Sequence, residues 1–253
     1  MSKHAIAAFA AATLFVSGAV LAQDEQELPE FSPVETFTCN YKEGMDSGDF
    51  DAVVDAWSAW MDKEGGNNYW AATVTPFYYG SETFDIGWVG AWTSGAAMGA
   101  GTDSWLSEGG EYAAQFAAVV DCATHSGFAS SQLKAPPGED APDSIVLTFT
   151  DCNYVESDED VGLFAAFNAW NAYTTERGYK NGSWVLFPVY GGGGADFDFK
   201  IVNAYDNYAD LGHDWDLYAE GDYLKNTELT GAAYECDDRR VYNATIRRRF
   251  ETE

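Results

Sequence analysis

Positive charge is scarce in this sequence. Thirteen Lys and Arg residues stand against 41 Asp and Glu, a formal charge of -28 over 253 residues. Nucleic acids and anionic membrane surfaces recruit proteins through basic surface, so neither is expected as a partner. Histidine is scarcer, with three residues, and there are only four cysteines. No Cys-x-x-Cys pair and no close Cys/His set occurs, which argues against a zinc site and against a redox dithiol. A Gly-x-Ser-x-Gly elbow, a His-Glu-x-x-His pair and a dinucleotide fingerprint are all missing. The acidic residues are spread along the chain. Stretches such as Asp158-Glu159-Asp160 and Glu235-Cys236-Asp237-Asp238 lack the regular oxygen spacing of a calcium loop. Paired carboxylates are too numerous to nominate two for glycoside hydrolysis.

The N-terminus has the pattern of a secretory signal. Lys3 and His4 precede an apolar run from Ile6 to Leu21, and Val20 and Ala22 occupy the small-residue positions before a cut at Gln23. The run is too short and too rich in Ala for a membrane span, so no stable membrane insertion is expected. Export places the protein in the periplasm or outside the cell. Removing residues 1–22 removes one lysine, which leaves 12 basic against 41 acidic residues. That acidity reads as a solvated surface suited to salty surroundings. Disorder is excluded for the bulk of the chain by its 9 Trp, 15 Tyr and 16 Phe, which need a core.

An internal repeat organises what remains. Cys39-Asn40-Tyr41 recurs as Cys152-Asn153-Tyr154, and the same offset pairs Ala56-Trp57 with Ala169-Trp170, Trp60 with Tyr173 and Gly65 with Gly178. It also pairs Phe84-Asp85 with Phe197-Asp198 and Trp92 with Tyr205, while Pro76 with Pro188 and Cys122 with Cys236 follow within one residue of that offset. The helix- and strand-breaking segment 134–143, rich in Pro, is the linker between a first repeat at 34–133 and a second at 144–253, and residues 23–33 form an acidic tail.

Within each repeat the periodicity predicts a strand at Glu35 to Asn40 (Ser144 to Asn153 in the copy). A helix follows at 47–63, its copy carrying Leu163, Phe164, Phe167, Trp170 and Tyr173 and ending at Gly178. A hairpin comes next, Trp70 to Tyr78 with Thr83 to Trp92, copied at Ser183 to Tyr190 with Asp196 to Tyr205. The glycine run at 191–194 reads as its turn, since no Lys-Ser or Lys-Thr follows to make a phosphate cradle. A second helical region is expected from about Thr102 to Val120, broken at Gly109-Gly110, with an irregular copy near 206–233. A last strand runs from Cys122 to Leu133, or from Cys236 to Phe250, and alternation should turn Arg248 away from Arg247 and Arg249. Those arginines would neutralise nearby carboxylates or bind an anion.

The order β-α-β-β-α-β is ferredoxin-like and the fold class is α+β. Two such units in tandem resemble the dimeric alpha-beta barrel superfamily with both halves fused in one chain, an intrachain pseudodimer with facing sheets or a shared barrel. The resemblance implies a monomeric pseudodimer, with a homo-oligomer as the other arrangement. Its members include monooxygenases of small aromatic compounds and haem-binding or haem-degrading proteins. No cofactor is expected from the residues themselves; the resemblance leaves haem or another planar cofactor open.

First and last strands are antiparallel neighbours in a ferredoxin-like sheet, so the expected disulfides are Cys39 with Cys122 and Cys152 with Cys236. Possession of a catalytic residue is an open matter. His125, in a final strand, is the weak candidate for an inward acid/base or haem ligand, and a surface or hydrogen-bonded structural role is the competing reading. His213 falls in an acidic turn. Trp88, Trp92 and Tyr205 on apolar strand faces, with Asp85 and Asp198 beside them, are the candidates for lining a pocket, against core packing and hairpin-edge solvation. The functional expectation is an exported protein that binds a small apolar or aromatic ligand or is structural. The alternatives are a cofactor-free oxygenase of a small aromatic substrate and a protein-interaction module.

Overall fold

The computed structural model describes residues 29–63, 68–81, 84–138, 142–155, 162–192 and 194–250. Residues 1–22, expected to be a secretory signal, lie outside the described residues, as do Gly65 and the acidic triplet at 158–160. The first repeat runs β1 (Ser32–Tyr41), α1 (Ser47–Lys63), β2 (Tyr69–Tyr78), β3 (Ile86–Trp92), α2 (Gly95–Glu108), α3 (Gly110–Val119) and β4 (Val120–Lys134). The second runs β5 (Ser144–Tyr154), α4 (Leu163–Arg177), β6 (Gly182–Tyr190), β7 (Phe199–Tyr205), α5 (Tyr208–Leu217), a π-helical turn Tyr218–Asp222, α6 (Tyr223–Thr230), β8 (Tyr234–Cys236) and β9 (Arg240–Arg248).

Each repeat orders its strands as a ferredoxin-like sheet, β4-β1-β3-β2 and β9-β5-β7-β6, and all neighbouring pairs are antiparallel. The last strand of each repeat then pairs with the second strand of the other, β4 with β6 and β9 with β2. The two sheets thereby close into one eight-stranded barrel, with β8 as an extra pairing on β5. Closure removes the exposed strand edges that separate sheets would present.

Alternation along the strands divides the side chains between two environments. One set points into the barrel and comes from both repeats: Val34, Val74, Val89, Phe128, Leu147, Phe149, Leu186, Val202, Tyr242 and Ala244. The other points outward under the helices. In the first repeat it meets Phe50, Val54, Trp57 and Trp60 of α1, and in the second Ala166 and Phe167 of α4. The apolar stripe of α1 follows from Phe50, Val53, Val54, Trp57, Trp60 and Met61 at helical spacing.

The duplication extends to small details. Cys39 is bonded to Cys122 and Cys152 to Cys236, each pair directly opposite in the ladder. The Asp85 carboxylate accepts the Tyr41 N–H at 2.9 Å, and the Asp198 carboxylate accepts the Tyr154 N–H at 2.9 Å. The last strand of each repeat gains an extra residue just beyond its cysteine: Cys122 opposes Cys39 but Thr124 opposes Thr38. In the copy Cys236 opposes Cys152 while Arg240 opposes Phe149, so the final strand expected as one piece is split into β8 and β9. Asp237 fills the gap, accepting the Asp151 N–H at 2.8 Å.

Some details differ from the sequence reading. β1 begins at Ser32, because Ser32 and Pro33 pair with Ser130 and Ala129 of β4. α2 begins at Gly95 rather than near residue 102, with Ser94 accepting the Ala97 N–H as its cap. The break expected at Gly109-Gly110 separates α2 from α3, and Gly101 lets α2 sit close to the sheet, since a Cβ there would lie 2.4 Å from the Trp92 ring. Arg247 and Arg248 do not face opposite ways. A bulge at this point of the β2–β9 ladder lets both reach α1. Arg247 pairs with Asp51 and donates to Thr73 at 3.0 Å, while Arg248 donates to Asp62 at 2.6 Å and to the Ser58 carbonyl at 3.0 Å. Arg249 bonds Asp143 at 2.9 Å. This arginine run straps the end of the second repeat onto the first.

Candidate functional site: a cleft inside the barrel

The barrel interior is not filled along its whole length. A cleft of about 1220 Å³ opens at one end. It is lined by the starts of β1, β2, β5 and β6 and by the ends of β3, β4, β7 and β9, which the antiparallel pairing gathers at one mouth, and it continues beyond the rim to Pro136 and Pro137 of the linker and to Phe164 and Asn168 of α4. Val34, Val89, Ala91, Leu147, Leu186 and Val202 make its walls, and Phe149 lies at its inner end. Behind Phe149 stands Tyr242, edge to face at 5.5 Å, and Phe84 stacks on Tyr242 at 5.9 Å. The mouth carries Trp70, Trp92, Trp184 and Phe250, with Glu30, Lys180 and Asp206 as charged groups. The opposite end of the barrel is polar. There Lys200 pairs with Asp151, Arg240 reaches Asp151 at 3.1 Å and Asp237 at 2.9 Å, and the Thr38 and Thr124 hydroxyls meet at 2.7 Å. An apolar, blind cleft with a few polar groups at the rim is the usual form of a small-molecule site.

The candidate residues from the sequence fall in different places. Trp92 and Tyr205 line the cleft near its mouth. Trp88 does not reach it: its ring packs under α1, 5.1 Å from Trp57, and its Nε1–H donates to the Tyr69 hydroxyl at 2.8 Å. Asp85 and Asp198 lie outside it, on the backbone N–H groups of Tyr41 and Tyr154. His125 is on the outer face of β4, its side chain 59% exposed, stacked on Phe37 at 3.8 Å and bonded to Glu35 at 2.9 Å. The other Glu35 oxygen accepts the Tyr69 hydroxyl at 2.6 Å. Burial, and then the neighbouring Glu35 charge, push the Tyr69 phenol well above the usual tyrosine range. The cleft-lining Ser130, Gln132, Lys180 and Trp184 were not singled out from the sequence. Trp184 alternates with Val185 and Phe187, so inward and outward apolar positions look alike within its strand.

A second cleft of about 410 Å³ lies in the second repeat, between the outer face of its sheet and α4, the π-helical turn and α6. Its lining includes Thr150, Asn171, Asn181, Ser183, Asn203 and Thr230, with Phe167, Trp170 and Tyr234 as aromatic walls. His125 and His213 line neither cleft, and His213 is exposed on α5. Burial pushes the Tyr234 phenol up to about 12, which disfavours the phenolate that would be needed in place of an imidazole. Among the described residues no histidine lines either cleft, and the phenols that do are Tyr205 in the barrel cleft and Tyr218 and Tyr234 in the second. No cluster of three or more His, Cys, Asp or Glu able to hold a metal ion occurs among the described residues. No described helix is long and apolar enough to cross a membrane.

The overall architecture has solved counterparts. A Fusobacterium nucleatum protein provisionally described as a monooxygenase superposes with a TM-score of 0.54 at 8% identity, covering 86% of this chain and 93% of its own. One from Lactobacillus acidophilus, provisionally described in the same way, gives 0.52 at 10% identity, over 87% and 95% of the two chains. A haem-binding protein from Thermus thermophilus gives 0.50 at 10% identity, over 86% and 94%. What they share with this chain is the fold, two ferredoxin-like sheets closed into one barrel. Such low identities carry the fold and no activity. No protein-family model matches the sequence, and no curated protein matches it.

Proposed function

We propose that this is an exported small-ligand-binding protein that takes a flat apolar or aromatic molecule into the barrel. The observation that carries the reading is the blind cleft itself: about 1220 Å³, walled by Val, Leu and Ala side chains from both repeats, with an aromatic floor and tryptophans at the mouth. Removing a planar apolar ligand from water there gains roughly 25 cal/mol for each Å² buried. Trp184 can stack on it from the rim. The charged rim groups Lys180 and Asp206 would orient a polar substituent. Two disulfides support export, since such bonds persist in oxidising compartments.

The test is a fluorescence titration of the full chain with N-phenyl-1-naphthylamine, a neutral planar probe. The expected result is saturable binding of one probe per chain with quenching of tryptophan emission. Ala204 lines the cleft, and Ala204→Phe should abolish that binding while both disulfides and the far-UV spectrum are retained. Equal binding by the folded variant and the parent would refute the reading.

A further inference from the structure

The two repeats use the same ladder positions for different chemistry beneath their helices. In the first, Glu35 opposes Gly90 and Phe37 opposes Trp88; in the second, Thr148 opposes Asn203 and Thr150 opposes Ile201. Likewise Tyr69 opposes Trp92, while Gly182 opposite Ala204 brings Asn181 level with Tyr205. Phe37, Tyr69 and Trp88 thus correspond to Thr150, Asn181 and Ile201. The aromatic filling of the first repeat is exchanged for two short polar side chains and an isoleucine, and the second cleft of about 410 Å³ occupies that space.

The polar groups there are organised. Asn181 Nδ2 donates to Asn203 Oδ1 at 2.9 Å, Asn203 Nδ2 donates to Thr148 Oγ1 at 3.4 Å, and Lys134 Nζ donates to Asn181 Oδ1 at 3.2 Å. Thr150 Oγ1 is the exception. It lines the cleft, its residue is 4% exposed, and it has no hydrogen-bond partner among the described residues. A buried hydroxyl left alone costs about 1–3 kcal/mol, so an occupant is expected to satisfy it. Water is one occupant, and the volume would hold roughly a dozen molecules.

We infer that this cleft is a second binding site, for an uncharged, hydroxyl-rich molecule of monosaccharide size. Neutral amides and hydroxyls face it from the sheet and from α4 and α6, matching a ligand whose hydroxyls both donate and accept. Trp170, Phe167 and Tyr234 supply walls for the C–H faces of a sugar ring. The charged groups Glu235, Asp237 and Arg239 are exposed, so the inner wall is left to neutral hydrogen-bonding groups. Such a ligand is chemically unlike the apolar one proposed for the barrel, and the two sites have separate linings apart from Leu133.

Calorimetric titration of the full, oxidised chain with glucose, galactose, mannose and N-acetylglucosamine tests this. At least one sugar should bind saturably at one site per chain. Ile201→Trp, which restores the first repeat's filling, should abolish binding. Thr150→Val, which keeps the shape and removes the hydroxyl, should weaken it about tenfold. Ala204→Phe should leave sugar binding unchanged, which separates this site from the barrel cleft. If Ile201→Trp fails to fold, Thr150→Val decides. No saturation by any of the four sugars up to about 10 mM would overturn the inference, because the cleft then holds water alone. Binding that Thr150→Val leaves unchanged would overturn it as well.

Discussion

The two repeats share a frame and differ in how the space under their helices is used. In the first, Trp57, Trp60, Trp88, Tyr69 and Phe50 are all buried, and Trp57 meets Trp88 and Tyr69 edge to face at 5.1 and 6.0 Å. Even the glycines serve this packing, since a Cβ on Gly90 would fall 1.8 Å from the Tyr69 hydroxyl oxygen. In the second, Phe167 and Phe199 are fully buried, but Trp170 is half-buried beside a cleft and the sheet offers Asn and Thr. The ladder, the disulfide and the carboxylate tie of Asp85 or Asp198 are common to both. One repeat is furnished for stability and the other keeps room, so a duplicated fold need not duplicate a site.

The disulfides test the shared frame. They close separations of 83 and 84 residues, so replacing both cysteines of a pair by serine should cost about 4 kcal/mol in either repeat. Denaturant unfolding of the two double variants should give matching losses. A difference well beyond the error of extrapolation would mean that the repeats do not constrain the unfolded chain alike.

The tryptophans test the difference. Trp57→Ala should cost about 3–5 kcal/mol, as a buried aromatic deletion does. Trp170→Ala, at a half-buried position next to open volume, should cost about 1–2 kcal/mol. Similar losses in urea melts would break the contrast.

A smaller effect lies in two buried carboxylates of the second repeat. Burial raises the Asp214 pKa, and the Lys180 N–H at 2.8 Å only partly offsets it. Asp222 is also penalised by burial. Hydrogen bonds from the Tyr173 hydroxyl, the Arg177 guanidinium and the Tyr179 hydroxyl outweigh that and hold its pKa below the usual carboxylate range. The signs are opposite. Asp214 stabilises the fold below its unfolded pKa, and that contribution is lost as pH rises through its folded value. The Asp222 contribution is present above its unfolded pKa and is lost as pH falls through its folded value. Relative to the parent, Asp214→Asn should therefore melt higher at about pH 7 than at about pH 2.5, and Asp222→Asn should do the reverse. Parallel behaviour of the two variants in thermal melts would contradict the assignment.

Much of the fold was legible in the sequence because the repeat marks equivalent positions twice. Cys39 and Cys152, or Trp57 and Trp170, confirm each other, and element order then gives strand order and disulfide pairing. The bulges beyond Cys122 and Cys236, and the one that turns Arg247 and Arg248 to the same helix, depend on backbone register and leave no periodic trace. The cleft was less legible. Trp88 and Val89 are adjacent, and both environments of the barrel wall are apolar, so period-two alternation cannot say which is the inside. Helix contacts settle it, sending Trp88 under α1 and leaving Val89 to the cleft. The exchange of Phe37, Tyr69 and Trp88 for Thr150, Asn181 and Ile201 lies outside the landmarks that reveal the duplication. It becomes visible once the ladders are aligned.

The most direct test of the central claim is a crystal structure of the protein soaked with N-phenyl-1-naphthylamine. The account predicts probe density inside the barrel, against Phe149 and Leu147 and beneath Trp184. Saturable binding in solution with the probe seated elsewhere and the barrel cleft holding only water would contradict it.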